Sequence, residues 1–205
     1  MEKYEITYRC SNDGDKPTRA LLTFPTNITH LNLSHNHLVS LTSDAFDYDV
    51  GSLVKRLDLS NNALTTVDTK TFRNLPNLEE LDLSDNNGAI LTLDVFGSLR
   101  RLRKLTLNGN KLATLSGICL RLPKLETLYV VDNEMVQIQP RSFKHCARLT
   151  GLDLSDNKLQ TLFQESFIEL SSLLYMFTYN NELTDIQRGA FEGLEQLINL
   201  DLGGN

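Results

Sequence analysis

The chain has 205 residues and a formal net charge of −6, and it is rich in leucine (39 residues) and asparagine (18 residues). A hydrophobic content of 40% excludes a disordered chain, and the excess of acidic over basic residues argues against a protein that grips nucleic-acid phosphates. No apolar run reaches the roughly 18 residues that cross a bilayer, and the chain does not begin with a hydrophobic signal segment, so it is either cytosolic or a trimmed extracellular chain.

The first predicted element is an N-terminal cap over residues 1–27. Residues 4–10 alternate in the manner of a strand, and a polar turn follows at residues 11–17. This segment lacks the repeat that occupies the rest of the chain. We therefore expect it to cover the first apolar coil of the repeat region.

From residue 28 onward the pattern LxxLxLxxN occurs eight times, and its asparagines are 23 to 26 residues apart. These asparagines are Asn36, Asn62, Asn86, Asn110, Asn133, Asn157, Asn181 and Asn205. Within xLxLx the leucines alternate, so on a short strand they point to one face. An apolar residue recurs two, five and ten positions after most asparagines. The residue at the tenth position is phenylalanine in six repeats and Leu120 in the fourth.

Stacked strands of this kind lie about 4.8 Å apart and form a parallel sheet. The asparagine at the end of each strand carries a donor and an acceptor, which can satisfy turn backbone of a neighbouring coil. The whole pattern resembles the leucine-rich repeat family over residues 28–205. This resemblance implies an α/β solenoid of about eight repeats, a right-handed superhelix with a curved parallel sheet on its concave face.

Two stretches are more specifically similar to Toll-like receptor ectodomains. Residues 24–36 resemble the first repeat of such a receptor, especially of the double-stranded-RNA-sensing kind, and residues 118–146 resemble a pair of coils joined by a disulfide. The second resemblance implies a Cys119–Cys146 bridge. Spacing by itself cannot establish that bridge, and two separate thiols are the alternative. Cys10 matches the second cysteine of the family's cap, and Met1 stands where its partner is expected.

Two glycosylation sequons begin at Asn27 and Asn32. Such tripeptides are common by chance, but both match glycan-bearing positions in the resembled family. The resemblance therefore implies the extracellular or endosomal-luminal side of a single-pass membrane receptor, whose membrane segment lies outside this sequence. A cytosolic repeat protein is the alternative.

The outward strand positions lie six, four and two residues before each asparagine, and most of them are small and polar. The middle position carries Asp58, Asp82, Asp153 and Asp201, which is either ordinary solvated surface or a ladder that favours a basic partner.

The seventh repeat differs because aromatic residues occupy its outward positions, with Met176 and Thr178 left for the core. A shift onto Asn180 would turn the aromatics inward, but it would bury Glu182 and Asp185. Exposed aromatics are typical of binding sites. The alternative is that this patch contacts another part of a longer parent chain. The predicted ligand-binding residues are Tyr129, Val131, Tyr175, Phe177 and Tyr179.

Histidines 30, 35 and 37 cluster in the first repeat. His35 matches a position at which the double-stranded-RNA-sensing receptor contacts phosphate. Asn12 and Asp132 stand where its other contact histidines are expected, and an aspartate opposes phosphate binding. We therefore predict neither nucleic-acid binding nor a metal site, and we treat these histidines as surface residues.

The sequence stops at Asn205, on a strand template, which leaves Leu200 and Leu202 without a covering coil. Because a solenoid needs a polar cap, we expect this chain to lack the C-terminal cap, to be a fragment of a longer receptor, and to pair through this edge with another molecule. Light scattering at high concentration tests that association.

The sequence contains no motif of a metalloprotease, serine hydrolase or phosphate-binding loop, so we predict no catalysis and no cofactor. The resemblance implies a ligand-recognising ectodomain of an innate immune receptor, which binds a protein or microbial ligand on its repeats and dimerises to signal. A structural or adhesive extracellular repeat protein is the main alternative. An antigen-binding repeat protein of jawless vertebrates is a third, against which the lone Cys10 weighs.

Overall fold

A computed structural model of the protein describes residues 6–7, 27–46, 51–86 and 92–205. The described residues form a nine-stranded parallel sheet, called here the long sheet, which begins with Ile6–Thr7 and gains one short strand from each of eight successive coils. Coils one to eight contribute, in order, His30–Asn32, Arg56–Asp58, Glu80–Asp82, Lys104–Thr106, Thr127–Tyr129, Gly151–Asp153, Tyr175–Phe177 and Asn199–Asp201. The central residues are in register, so that Leu57 pairs with Leu81 and Leu81 with Leu105. The predicted stacked parallel sheet is confirmed.

Outside the long sheet, the described residues of each coil contain little regular structure. Two smaller parallel sheets consist of Ser40–Leu41 with Thr66–Val67, and of Gln137–Ile138, Thr161–Leu162 and Asp185–Ile186. Single helical turns occur at Thr71–Asn74, Leu93–Phe96 and Ile118–Arg121. Within the described ranges no helix is long and apolar enough to cross a membrane.

The alternating leucines form one continuous core, as their spacing predicts. Leu33, Leu83 and Leu154 expose only 3%, 1% and 0% of their surface. The parallel register brings each leucine onto the equivalent leucine of the next coil, and this removes apolar surface from water at every step. The hydrophobic effect and the strand pairing therefore stabilise the same arrangement.

Phenylalanines fill the core on the side away from the long sheet. The rings of Phe46 and Phe72 stack with centroids 6.3 Å apart, and Phe167 stacks between Phe143 and Phe191 at 6.0 and 6.3 Å. These contacts join one coil to the next through large rings that are buried, except for the partly buried Phe191, and the stacking contributes beyond the area that the rings bury.

The prediction that Leu120 takes the phenylalanine position in coil four is wrong. Leu120 is 57% exposed, and its neighbour Cys119 is 2% exposed. Coil four is one residue shorter than its neighbours, and the missing residue lies between the buried Leu115 and Ile118. Counting ten from Asn110 therefore passes the core position by one.

Cys119 forms a disulfide with Cys146, with Cα atoms 5.2 Å apart. The structure thus contains the bridge that the family resemblance implies, and it does not contain two separate thiols at these positions. Because Cys119 belongs to coil four and Cys146 to coil five, the bridge joins adjacent coils at a point where phenylalanine is absent.

The repeated asparagines connect the coils as predicted. The Asn62 side-chain oxygen accepts hydrogen bonds from the backbone N–H groups of Asn36 and Leu38 at 3.1 and 2.9 Å, and its amide nitrogen donates to the carbonyls of Leu33 and Leu59, both at 2.9 Å. Comparable bonds are made by Asn86, Asn110, Asn133, Asn157 and Asn181. Together these side chains form the asparagine ladder.

The residue immediately before each of the eight repeat asparagines has a left-handed backbone, with φ between 52° and 70°. These residues are His35, Asn61, Asp85, Gly109, Asp132, Asp156, Asn180 and Gly204. Glycine and short polar residues tolerate this conformation best, which explains their recurrence at this position.

The two ends of the repeat region bear on the predicted N-terminal cap and on the predicted exposed C-terminal edge. Ile6 and Thr7 pair in parallel with Leu31 and Asn32 of coil one. The rest of the predicted cap before residue 27, including Cys10, lies outside the described residues, and its boundary stays a prediction. In coil eight, Leu200 is 36% exposed and Ile198 is 73% exposed. Association through this edge also stays a prediction.

Candidate recognition surface on the long sheet

The outward face of coil seven is aromatic. Tyr175 and Tyr179 expose 45% and 49% of their surface, and Phe177 is half-buried. Met176 and Thr178 between them are fully buried. The outward orientation is therefore the one that the structure has.

The position of the buried ladder asparagine in coil seven, Asn181, explains this register. Asn181, rather than Asn180, is buried, and its amide nitrogen donates to the carbonyls of Leu154 and Thr178 at 3.0 Å. A shift of one residue would break these bonds and bury the Glu182 carboxylate, which is exposed in the structure.

Two strands away, Tyr129 and Val131 are half-buried on the same face. The Lys104 ammonium of coil four lies 5.4 Å from the centre of the Tyr129 ring, within the range of a cation–π contact. The predicted patch residues of coils five and seven thus share one surface, with coil six between them.

Coil six forms a trough between these aromatic coils. Gly151 pairs with Thr127 on one side and Tyr175 on the other, and Asp153 pairs with Tyr129 and Phe177. The outward residues of coil six, Gly151, Asp153 and Ser155, are all smaller than the aromatic residues of coil seven beside them, and Asp153 is also smaller than its coil-five neighbour Tyr129. We call these three residues the coil-six trough; it was not predicted from the sequence, since only the register between coils places it.

The four outward aspartates of the middle strand position, called here the acidic ladder, have a structural role that the sequence did not reveal. Side-chain oxygens of Asp58 and Asp82 each accept hydrogen bonds from the backbone and hydroxyl of the serine two residues later, at 2.6 to 2.9 Å. Asp153 and Asp201 likewise accept from the N–H of Ser155 at 3.0 Å and of Gly203 at 2.8 Å. These bonds satisfy backbone donors where each strand ends. The aspartates of the acidic ladder are therefore surface residues that also stabilise the strand ends.

A separate depression of about 360 Å³ lies over coils one to four. Its walls mix charges of both signs, and Arg56 forms an ion pair with Glu80 at 2.9 Å. Because these charges compensate each other across neighbouring strands, this depression offers less to a charged ligand than the coil-six trough does.

The basic residues between positions 100 and 104 are all exposed. Arg103 forms a 2.8 Å hydrogen-bonded ion pair with Glu126, which raises the pKa of the guanidinium. Arg141 and Glu165 make the same kind of pair at 2.9 Å, again raising the pKa of the arginine. Both arginines are exposed, so these pairs are screened by solvent and salt.

The histidines of coil one have local structural roles. His35 and His37 are exposed and have left-handed backbones, and the His30 ring nitrogen lies 2.9 Å from the Thr29 hydroxyl. Asp132 occupies the same left-handed position in coil five that His35 occupies in coil one. Backbone geometry thus accounts for both residue types without a phosphate ligand. Asn12, the third position compared, lies outside the described residues.

The two sequons lie at the start of the described repeats. Asn27 is exposed, and Asn32 is half-buried on the outward face, where its oxygen accepts a hydrogen bond from the Ser34 N–H at 2.8 Å. Glycosylation at both asparagines stays a prediction.

Comparison with known proteins agrees with this architecture. A family model described as "Leucine rich repeat" matches residues 52–112 and 123–178, and a second one, "Leucine Rich Repeat", matches residues 27–48. No curated protein sequence matches the chain significantly.

Two solved structures are similar. A TLR13–ssRNA13 complex superposes with a TM-score of 0.78 at 29% sequence identity, over 83% of this chain and 24% of the other. The Toll–Spatzle complex of Drosophila superposes with a TM-score of 0.74, over 83% of this chain and 22% of the other; at 22% identity it supports the fold alone. The chain spans less than a quarter of the length of either protein.

Proposed function

Because the chain belongs to the leucine-rich repeat family, we propose that it is a ligand-recognising part of a Toll-like receptor ectodomain and binds a protein ligand through the outward face of coils five to seven. The similarity to the TLR13 structure supports a receptor role, although this chain covers only 24% of that protein. Innate immune sensing, membrane attachment and dimerisation belong to this proposal.

The observation that carries the proposal is the exposure of Tyr175 and Tyr179. Apart from Tyr129 of coil five, the outward positions of the other coils carry smaller or charged side chains. Contact of an exposed aromatic pair with water is unfavourable in free energy, and burial against a partner removes that cost. Tyrosine is enriched at interface hot spots because it combines a large apolar ring with a polar tip. Coil seven therefore has the chemistry of a contact surface.

The test is a selection from a random peptide library displayed on phage, with the 205-residue protein as the immobilised target. We expect the selected peptides to bind a Tyr175→Ser/Tyr179→Ser variant at least about tenfold more weakly. Val136→Ser is the matched control, because Val136 is 45% exposed but lies outside the long sheet. If the peptides bind the double variant as well as the original protein, the proposal is wrong.

The proposed glycosylation has its own test. We expect expression through the secretory pathway to add glycans at Asn27 and Asn32, detectable as mass removed by a glycosidase. The Asn27→Gln and Asn32→Gln variants should each lose one glycan. An unmodified secreted chain would contradict the predicted glycoprotein.

A further inference from the structure

The coil-six trough differs from the rest of the long sheet because its aspartate, Asp153, lies between two aromatic residues, Tyr129 and Phe177. We propose that this trough binds a lysine or arginine side chain of the protein ligand, between Tyr129 and Phe177 and against the carboxylate of Asp153. The inference rests on the function proposed above and specifies the chemistry that its ligand presents.

The register of the sheet sets the dimensions of this site. Asp153 is paired directly with Tyr129 on one side and Phe177 on the other. With neighbouring strands about 4.8 Å apart, the two aromatic residues stand about 10 Å apart with the aspartate midway. A planar guanidinium, or the apolar stem of a lysine, fits between two rings at this separation.

Asp153 has the capacity to accept such a cation. One of its oxygens accepts the Ser155 N–H at 3.0 Å. In the part of the chain that the structure describes, its other oxygen accepts no hydrogen bond and no basic side chain forms an ion pair with it. The half-buried carboxylate therefore offers an acceptor to a ligand.

The surrounding surface has the charge that complements a basic ligand. None of the twelve outward positions of coils five to eight is lysine or arginine, and two of them are aspartates. By contrast, Arg56 and Lys104 occupy outward positions in coils two and four. A basic side chain that approaches coil six thus meets no like charge among these twelve positions, and a phosphate group meets repulsion from Asp153.

Tyr129 already contacts one cation of the protein itself, the Lys104 side chain of the adjacent coil four. The Lys104 ammonium stands 5.4 Å from its ring centre, and coil four lies on the side of Tyr129 away from coil six. One face of the ring is therefore turned toward coil four, and Asp153 lies on the other side of Tyr129.

The experiment is an NMR titration of the protein with N-acetyl-arginine amide, with N-acetyl-citrulline amide as the uncharged ligand of the same shape. We expect the backbone amides of residues 151–155 to shift with the arginine compound and not with the citrulline compound. Asp153→Asn keeps an oxygen for the Ser155 N–H but removes the charge, and it should weaken the arginine response on the order of fivefold.

Two further variants separate the parts of the site. Phe177→Leu keeps an apolar side chain but removes the ring, and it should also weaken the response. Asp82→Asn is the matched control: Asp82 makes the same bond to its following serine, but its sheet neighbours are Asp58 and Thr106. This control should leave the arginine response unchanged.

Equal shifts with both compounds, or an Asp153→Asn variant that responds like the original protein, would overturn the inference. The peptide selection separates this failure from failure of the proposed function. Peptides that depend on Tyr175 and Tyr179 but lack enrichment in lysine and arginine leave the receptor proposal standing and contradict the inference. Shifts of residues 151–155 without tyrosine-dependent peptides contradict the receptor proposal.

Discussion

At the scale of single residues, the ladder asparagines decide how one coil is attached to the next. Each buried amide satisfies backbone groups in its own turn and in the turn of the adjacent coil, and few other side chains carry both a donor and an acceptor in so small a volume. Removal of one ladder asparagine therefore leaves several buried backbone groups without hydrogen-bond partners, and this lowers the free energy of unfolding.

We predict that Asn133→Ala lowers the free energy of unfolding by about 3 kcal/mol. Its oxygen accepts from the N–H groups of Asn110 and Leu112, at 3.1 and 2.9 Å, and its nitrogen donates to the Leu107 carbonyl at 3.0 Å. Urea unfolding measures the loss. Asn205→Ala is the control, because Asn205 is exposed and should cost less than about 1 kcal/mol. Equal losses for the two variants would contradict this role.

A single glycine tests the contribution of backbone conformation. Gly117 has φ of +82°, and a Cβ added there would meet no atom within 4 Å, so Gly117→Ala isolates the strain of a left-handed alanine. We expect a loss of about 1 kcal/mol in urea unfolding. Gly151→Ala is the comparison, since it needs no positive φ and its Cβ would lie 3.4 Å from Thr127. A larger loss for Gly151→Ala would show that backbone strain is not the cause.

At the scale of elements, the side of the coils away from the long sheet changes in coil four. Stacked phenylalanines link coils one and two and coils five to seven, whereas coil four places Cys119 at this position and is bonded to coil five through Cys146. A covalent link thus takes over where the aromatic side chain is missing, and it spans 27 residues of sequence.

We predict that Cys119→Ala/Cys146→Ala lowers the free energy of unfolding by about 3 to 4 kcal/mol, because a bridge over a loop of this length restricts the unfolded chain. Thermal unfolding with and without reductant measures the effect, and Cys10→Ala serves as the control. In the unreduced, denatured protein one thiol should react with a thiol reagent, and three should react after reduction. Three reactive thiols before reduction would show that the bridge does not form.

At the scale of the whole molecule, the charge of the outward face decides which ligands are admitted. The net charge of −6 and the acidic positions of coils two, three, six and eight oppose a phosphate backbone. The similar TLR13 structure is a complex with ssRNA13, so this distinction needs a direct test.

We predict that double-stranded RNA does not bind the protein at about pH 5.5 and physiological salt, because the acidic outward face repels phosphate groups. Fluorescence anisotropy of a labelled duplex measures binding. His35→Ala and the neighbouring control His37→Ala should behave alike. Binding that is lost only in His35→Ala would contradict the prediction and assign a phosphate contact to coil one.

Much of the fold was predictable because each coil satisfies the same physical requirements in the same order. Leucines must be buried, strand edges must pair and turn backbone must find partners, so the spacing of leucine and asparagine determines the coil and its register. The outward position of Tyr175 and Phe177 followed from the same spacing, once the burial of Glu182 was excluded.

Three features were decided only by the tertiary structure. The exchange of Leu120 for Cys119 depends on where coil four loses a residue, and a repeat length does not locate that point. The bonds from the acidic ladder to its serines arise from the turn geometry at each strand end. The coil-six trough exists because Asp153 lies between rings that are each 24 residues away in sequence. Periodicity specifies what each coil contains, but contact between coils depends on how their backbones are placed side by side, and that is a property of the folded stack.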